Sequence, residues 1–590
     1  MATTEHDDVD GTHGPTQKPP TSRRDFLRAA GFTAAGLGVG AGVGAVAGGL
    51  AGVNAGQQHP PIQSLRGTQL APRADGPGFD HLVVVMFENR SFDNLLGYLY
   101  SDAGIPVPAG QTFEGVAGKH LSNSTRDGDE VAVHPYSGPT DRVMRSPDPD
   151  PGEEYPFVNT QLFGTVDPAA NSSHRVPDLE RPYNAPPDAT HPDMSGFLAD
   201  YVDKFRGEHG RDPRPEEYRQ IMGSFTPEML PVFSTLAREF AVYDHWHCAV
   251  PSQTFPNRSF FHAGTSHGFV TNAFNPAIGK WLDPLLNTGT TIFNRLEEAG
   301  ISWRVYYDER QLISLTGMLH APHLERYWKS NFRTMRTFYQ DVANGTLPAY
   351  SFIEPRLTFD HNDMHPPVGP LTRTDVDGTI IEGGGISDVR AGEALLHRIY
   401  SAIRESSTPT GSHALNTTLM VTFDEHGGTY DHVPPPAAPA PPLPGETEMD
   451  FRFDRLGVRV PTLVISAYTP SAVINETMHH GSLISTLTHR FGLKHLTARD
   501  EHAPTIDNAH TLATPRAPAT WPNTFPLYSP PNPESMDPTA DGDDDRPLSP
   551  PGVGLVALLL ARYAPDDPVP RTYREAYDAI HKHGEGLFGV

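Results

Sequence analysis

Apolar residues fall into two patterns that alternate along the chain. His81-Leu82-Val83-Val84-Val85-Met86-Phe87 is a near-continuous apolar run of strand length, the pattern of a strand covered on both sides. Runs at 303–307, 350–353, 418–423 and 460–467 repeat it. Between them the spacing becomes helical: residues 229–242 place Leu230, Phe233, Leu236 and Phe240 on one stripe, and residues 393–404 do the same with Leu396, Ile399 and Ile403. Buried strands separated by amphipathic helices predict an α/β fold, a central mostly parallel sheet with helices on both faces. The stretch 101–192 has few periodic runs and many Pro, Asp, Gly and Ser residues, and reads as a long loop insertion. The Pro/Ala tract 434–444 and the Pro-rich stretch 515–551 read as surface loops or extended segments. Helical patterns at 554–563 and 572–583 follow. No repeat of fixed period is visible, which disfavours solenoids and propellers.

Composition narrows the picture in three ways. The 60 Pro and 54 Gly residues make a loop-rich chain, still well short of the proportion seen in disordered or collagen-like sequences. Asp and Glu total 71 against 45 Lys and Arg, a net charge of −26 that repels phosphate backbones and argues against nucleic acid as a partner. Cys248 is the one cysteine, so no intrachain disulfide and no Cys-rich zinc or iron–sulfur site can form.

The first residues read as an address. Thr21-Ser22-Arg23-Arg24-Asp25-Phe26-Leu27 precedes a Gly/Ala-rich, weakly apolar run at 29–53 that ends in the small-x-small pattern Val53-Asn54-Ala55. The segment 1–55 resembles a twin-arginine export signal. That resemblance implies a secreted protein, handled by the twin-arginine machinery and cleaved near Ala55, with a retained membrane anchor as the alternative.

Acidic residues follow two of the buried runs: Glu88, paired with Asn89, after the first, and Asp424-Glu425 after the run at 418–423. This is the carboxyl edge of the expected sheet, where α/β folds bind ligands. Either pair alone reads as helix capping. Together they point to a divalent cation, because clustered carboxylates repel one another unless neutralised. With oxygen donors and no thiolate, Ca, Mg, Mn and Zn all remain open. Thr254-Phe255-Pro256-Asn257-Arg258 offers a hydroxyl, an amide and a guanidinium within five residues and reads as a phosphate cradle, with a Pro-Asn turn and a solvated arginine as the alternative. In Asn362-Asp363-Met364-His365-Pro366-Pro367 the proline after His365 restricts that residue's backbone and so fixes where it points.

These segments, with Glu88 to Gly97, Asp424 to Val433 and Gly457-Val458-Arg459-Val460-Pro461, resemble the ordered motif set of the bacterial and plant phosphoesterase family. That family contains non-specific phospholipases C and a secreted acid phosphatase, and its fold is similar to that of alkaline phosphatase and the arylsulfatases. The resemblance implies a catalytic domain at 76–500, with 501–590 as an extension packed on it. It implies one divalent metal ion held by Glu88, Asn89, Thr254, Asp424 and Glu425. It implies Thr254 as nucleophile, forming a covalent phosphothreonine, with Asn89 and Arg258 at the phosphoryl oxygens. Arg258 has bracing the loop as its alternative role. His365 is the expected acid for the leaving alkoxide, since an imidazole with an ordinary pKa of about 6.5 can deliver a proton near neutral pH. Members of the family carry further histidines, for which His174 and His191 compete before the nucleophile and His479 and His480 stand after the Gly457 motif as surface candidates. Asp431 and His432 are expected to stabilise their loop.

The implied activity is phospholipase C cleavage of phospholipids, with transient contact to a membrane surface. An acid phosphatase acting on small phosphomonoesters is the alternative within the same chemistry. A catalytically silent surface-binding protein that keeps the fold is the alternative from another class.

Overall fold

Eight strands form the central sheet: β1 His81–Phe87, β2 Ala241–Tyr243, β3 Trp303–Tyr307, β4 Phe332–Thr334, β5 Tyr350–Glu354, β6 Thr417–Phe423, β7 Thr462–Ile465 and β8 Ala472–Ile474. Their spatial order is β8-β2-β7-β6-β1-β5-β3-β4. All neighbouring pairs are parallel except β7, which runs antiparallel to both β6 and β2. This computed structural model describes residues 70–101, 104–172, 179–187, 191–272, 278–358, 361–367, 371–374, 380–383, 388–443, 445–527 and 548–589. They belong to one compact unit. The twin-arginine-like segment 1–55, His174 and most of the acidic Pro-rich stretch lie outside the described residues. No helix among the described residues is long and apolar enough to cross a membrane.

Strands β1, β5 and β6 hold the centre, and every residue of β5 and β6 is buried. From Leu82 onwards the same holds for β1, so both faces of the sheet are covered, as its unbroken apolar runs require. The register decides what happens at the carboxyl edge. Phe87 pairs with Phe423, so β1 and β6 end level and release Glu88 and Asp424 side by side.

The helix expected over 229–242 is shorter than its apolar stripe. It spans Pro231–Glu239, Phe240 turns to extended backbone (φ −130°, ψ −158°), and Val242 joins the sheet opposite Leu463 and Val473. An apolar stripe of period 3.6 and a short buried strand overlap at Phe240 and Val242, and pattern alone assigned both to the helix. The stretch 101–192 also contains more structure than a loop. The strands Ser122–Ser124 and Glu130–Ala132 pair, and the helix Tyr155–Phe163 buries Tyr155, Val158 and Leu162. The terminal helices Pro550–Tyr563 and Tyr573–Gly584 pack on one another, and Gly554 of the first lies against the ring of Phe255, beside Thr254.

Candidate active site

Four loops leaving the sheet meet above β1 and β6. The backbone N–H of Asp424 donates to the carbonyl of Phe87 (3.1 Å), that of Arg90 to the carbonyl of Glu425 (3.1 Å), and that of Glu88 to the carbonyl of Asp363 (2.8 Å). These bonds lock the segments 88–90, 424–425 and 362–365 together. Asn89 adopts a left-handed conformation (φ 55°) and its N–H donates to Asp424 Oδ1 (3.1 Å). Opposite it, Gly427 and Gly428 have φ values of 60° and 65°. A side chain on Gly427 would collide with Asn89, so the close approach of the two loops requires glycine there.

Thr254 is the first residue of the ten-residue helix Thr254–Ala263, so the positive end of that helix dipole faces the site. Thr254 Oγ1 donates to Glu88 Oε2 (3.3 Å). One turn on, Arg258 Nη2 is paired with Glu88 Oε1, and its Nε stands 3.5 Å from Asp424 Oδ2. Arg258 therefore braces two carboxylates. Its Nη1 has no hydrogen-bond partner.

Glu88, Asp424 and Glu425 are wholly buried, and Arg258 is nearly so. Three carboxylates against one guanidinium leave two negative charges in a medium that solvates charge poorly. Burial and neighbouring carboxylates push the carboxyl pKa values of Glu88 and Glu425 well above the ordinary range. Three acceptors in this cluster, Asn89 Oδ1, Asp424 Oδ2 and Glu425 Oε1, are buried without a hydrogen-bond partner. Unsatisfied oxygens and an excess of two negative charges fit one divalent cation. Glu88, Asn89, Asp424, Glu425 and Thr254 are the residues that would hold it.

The structure adds a residue that sequence reasoning missed. Glu153 comes from the stretch 101–192, accepts from Asn89 Nδ2 through Oε2, and accepts from Gln253 Nε2 through Oε1 (3.3 Å). Burial, with Glu154 beside it, raises its pKa to about 8. Gln161 fixes this segment: its Nε2 donates to the carbonyl of Gly152 (2.7 Å) and its Oε1 stands 2.8 Å from His426 Nε2. The one sequence signal was the acidic run Glu153-Glu154 just before an apolar helix.

His365 is in the site, but not as the proton donor expected of it. Its Nδ1 stands 2.6 Å from the carbonyl of Pro366 and can only donate there, and its Nε2 faces Asn89 Nδ2 at 3.0 Å and so accepts. Burial lowers its pKa to about 4, so the ring is neutral near pH 7 and has no proton to give from Nε2. Of the other histidines, His191 is exposed. His479 and His480 are buried rather than on the surface, and His480 Nε2 stands 2.6 Å from the carbonyl of Asp424. Asp431 and His432 hold their loop: Asp431 accepts from Arg459 Nε (2.9 Å) and from the N–H of Asp93 (3.1 Å), and His432 Nδ1 stands 2.6 Å from Asp93 Oδ2.

The profile of the Phosphoesterase family matches residues 79–494. Non-specific phospholipase C3 of Arabidopsis thaliana is 33% identical over 457 residues, covering 74% of this chain and 74% of its own. Non-specific phospholipase C1 of the same plant is 31% identical over 461 residues, 75% of this chain and 72% of its own. Phospholipase C A of Mycobacterium tuberculosis is 28% identical over 324 residues, 50% of this chain and 57% of its own. Among solved structures, a protein in the alkaline phosphatase superfamily from Vibrio parahaemolyticus overlays with a TM-score of 0.28 at 13% identity, over 48% of this chain and 65% of that one.

Proposed function

This chain belongs to the Phosphoesterase family, and we propose that it is a secreted, metal-dependent phospholipase C that works through a covalent ester on Thr254. The observation that carries the reading is the placement of a helix-terminal hydroxyl, Thr254 Oγ1, on Glu88 Oε2, in a pocket where three buried oxygens lack partners. A divalent cation held there would offset charge on the phosphoryl group and make a nearby hydroxyl easier to ionise. The remaining work falls to the chain itself.

Thr254 Oγ1–H donates to Glu88 Oε2, which orients an oxygen lone pair for attack on phosphorus. The bond from Thr254 Oγ to phosphorus forms as the Thr254 proton passes to Glu88 Oε2 and the bond from phosphorus to the glycerol oxygen breaks. The departing alkoxide takes a proton from solvent, because His365 offers none. Water then attacks the same phosphorus and releases a proton to solvent, while Glu88 returns the first proton to Thr254 Oγ, freeing Thr254 and releasing the phosphorylated head group. The N-terminus of the Thr254–Ala263 helix favours the negative charge that grows on the phosphoryl oxygens. Arg258 holds Glu88 and Asp424 in place.

The relatives named phospholipase C favour a phosphodiester over a phosphomonoester as the substrate. Phosphatidylcholine, a nitrophenyl phosphocholine ester and nitrophenyl phosphate, assayed side by side, test this. We expect the two diesters to be hydrolysed faster than the monoester. A monoester turned over best would make the protein an acid phosphatase.

A further inference from the structure

Asp150, Glu153 and His365 are all buried and bring one ligand atom each to within 4.8 Å of one another. Donor atoms around a single ion at bond lengths of about 2.0–2.5 Å stand roughly 3–5 Å apart, so this spacing suits a common cation. The group meets the cluster described above at the Asn89 amide: Asn89 Oδ1 is unpartnered, while Asn89 Nδ2 reaches both Glu153 Oε2 and His365 Nε2.

Two further observations point to a ligand. The Asp150 carboxylate makes no hydrogen bond, and its Oδ1 is fully buried without a partner, whereas the backbone carbonyl of the same residue is satisfied by Lys204 Nζ (2.8 Å). A buried carboxylate oxygen left bare is costly unless a cation meets it. Secondly, the donors are oriented as metal ligands are. The Nδ1 of His365 is engaged by the Pro366 carbonyl, which leaves Nε2 as the lone-pair nitrogen, and Glu153 is held from outside by Gln253. Charge agrees. Asp150, Glu153 and Glu154 stand near one ammonium, Lys204, which also pairs with Glu208 (3.5 Å).

We propose that Asp150, Glu153 and His365 form a second divalent-cation site, next to the first and in contact with it through Asn89. One imidazole and two carboxylates suit Mn²⁺ or Zn²⁺ better than Ca²⁺. A cation there takes over the contact that Asn89 Nδ2 makes to Glu153 and His365. Held by Asp150, Glu153 and His365, such an ion would supply positive charge beside the departing oxygen.

The inference shares Asn89 with the first cation site but not the choice of substrate, so counting metal separates its failure from failure of the phospholipase reading. The full chain, stripped by chelator and reloaded with Mn²⁺, should hold two ions per chain by elemental analysis. Asp150→Asn with Glu153→Gln should hold one, and Asp424→Asn with Glu425→Gln should independently hold one. Gln253→Ala, which removes the outer support of Glu153 and the contact of Gln253 Oε1 with the Asn272 N–H (2.9 Å), should weaken one of the two Mn²⁺ binding steps by about 10–100-fold and leave the other unchanged. A count of one in the unmodified protein overturns the proposal whether or not any variant folds. So does an unchanged count in the Asp150/Glu153 variant.

Discussion

Gly427→Ala tests the interlocking of the two site loops with a single methyl group. At φ 60° an alanine pays for left-handed backbone, about 1–2 kcal/mol. Its Cβ would stand 2.6 Å from Asn89 Cβ and 2.7 Å from the Asn89 carbonyl carbon, where ordinary contacts begin near 3.4 Å. Forcing a methyl into such a space costs a further 1–3 kcal/mol or so. The total expected loss is about 2–5 kcal/mol. Gly492→Ala is the matched control, with φ 65° and nothing within 4 Å of the added atom, so only the backbone cost of about 1–2 kcal/mol applies. Asn89 is also the residue that must move, and a displacement of about 1 Å at a reacting group costs on the order of 100-fold in rate. Urea unfolding midpoints, with kcat/KM on a nitrophenyl phosphocholine ester, measure both effects. If Gly427→Ala is as stable as Gly492→Ala and turns over like the unmodified protein, the loops do not interlock as described.

Three further outcomes follow from the same structure. Thr254→Val should lower turnover at least about a thousandfold with the fold intact, while Thr254→Ser keeps part of it, measured as kcat alongside the melting temperature. Arg258→Met leaves Glu88 and Asp424 buried without their counter-charge and should destabilise by about 3–5 kcal/mol. Millimolar Mn²⁺ should raise the melting temperature of that variant more than that of the parent. Glu393 is buried under the N–H groups of Val232 and Phe233, both at 2.7 Å, and burial raises its pKa to about 8 from an ordinary 4.5. A raised carboxyl pKa means that the folded state holds the proton longer, so this contribution is full below pH 4.5 and is lost as pH rises towards 8. Across that window Glu393→Gln should flatten a decline on the order of 5 kcal/mol in unfolding free energy.

The central strands were legible because a strand buried on both faces leaves an unbroken apolar run; β1 and β3 have the bounds that the runs predict. The outer strands β4 and β8, three residues each, carry too little pattern to separate from loop. The acidic residues at the ends of β1 and β6 were legible for a topological reason, since parallel neighbours deliver their carboxyl ends to one edge. Glu153 was not. Its neighbourhood is made by contacts with residues 64 and 100 positions away, in a stretch whose prolines and glycines hide any period. The protonation state of His365 was equally invisible, because it depends on burial and on the Pro366 carbonyl rather than on residue type.

The central claim is that Thr254 carries the phosphoryl group during turnover. Rapid acid quench of the enzyme with phosphatidylcholine, followed by proteolysis and mass spectrometry, measures this directly. The account predicts a phosphocholine ester on Thr254, present at early times and absent from Thr254→Val. Steady turnover with no ester on any residue, or an ester on a different side chain, would contradict it.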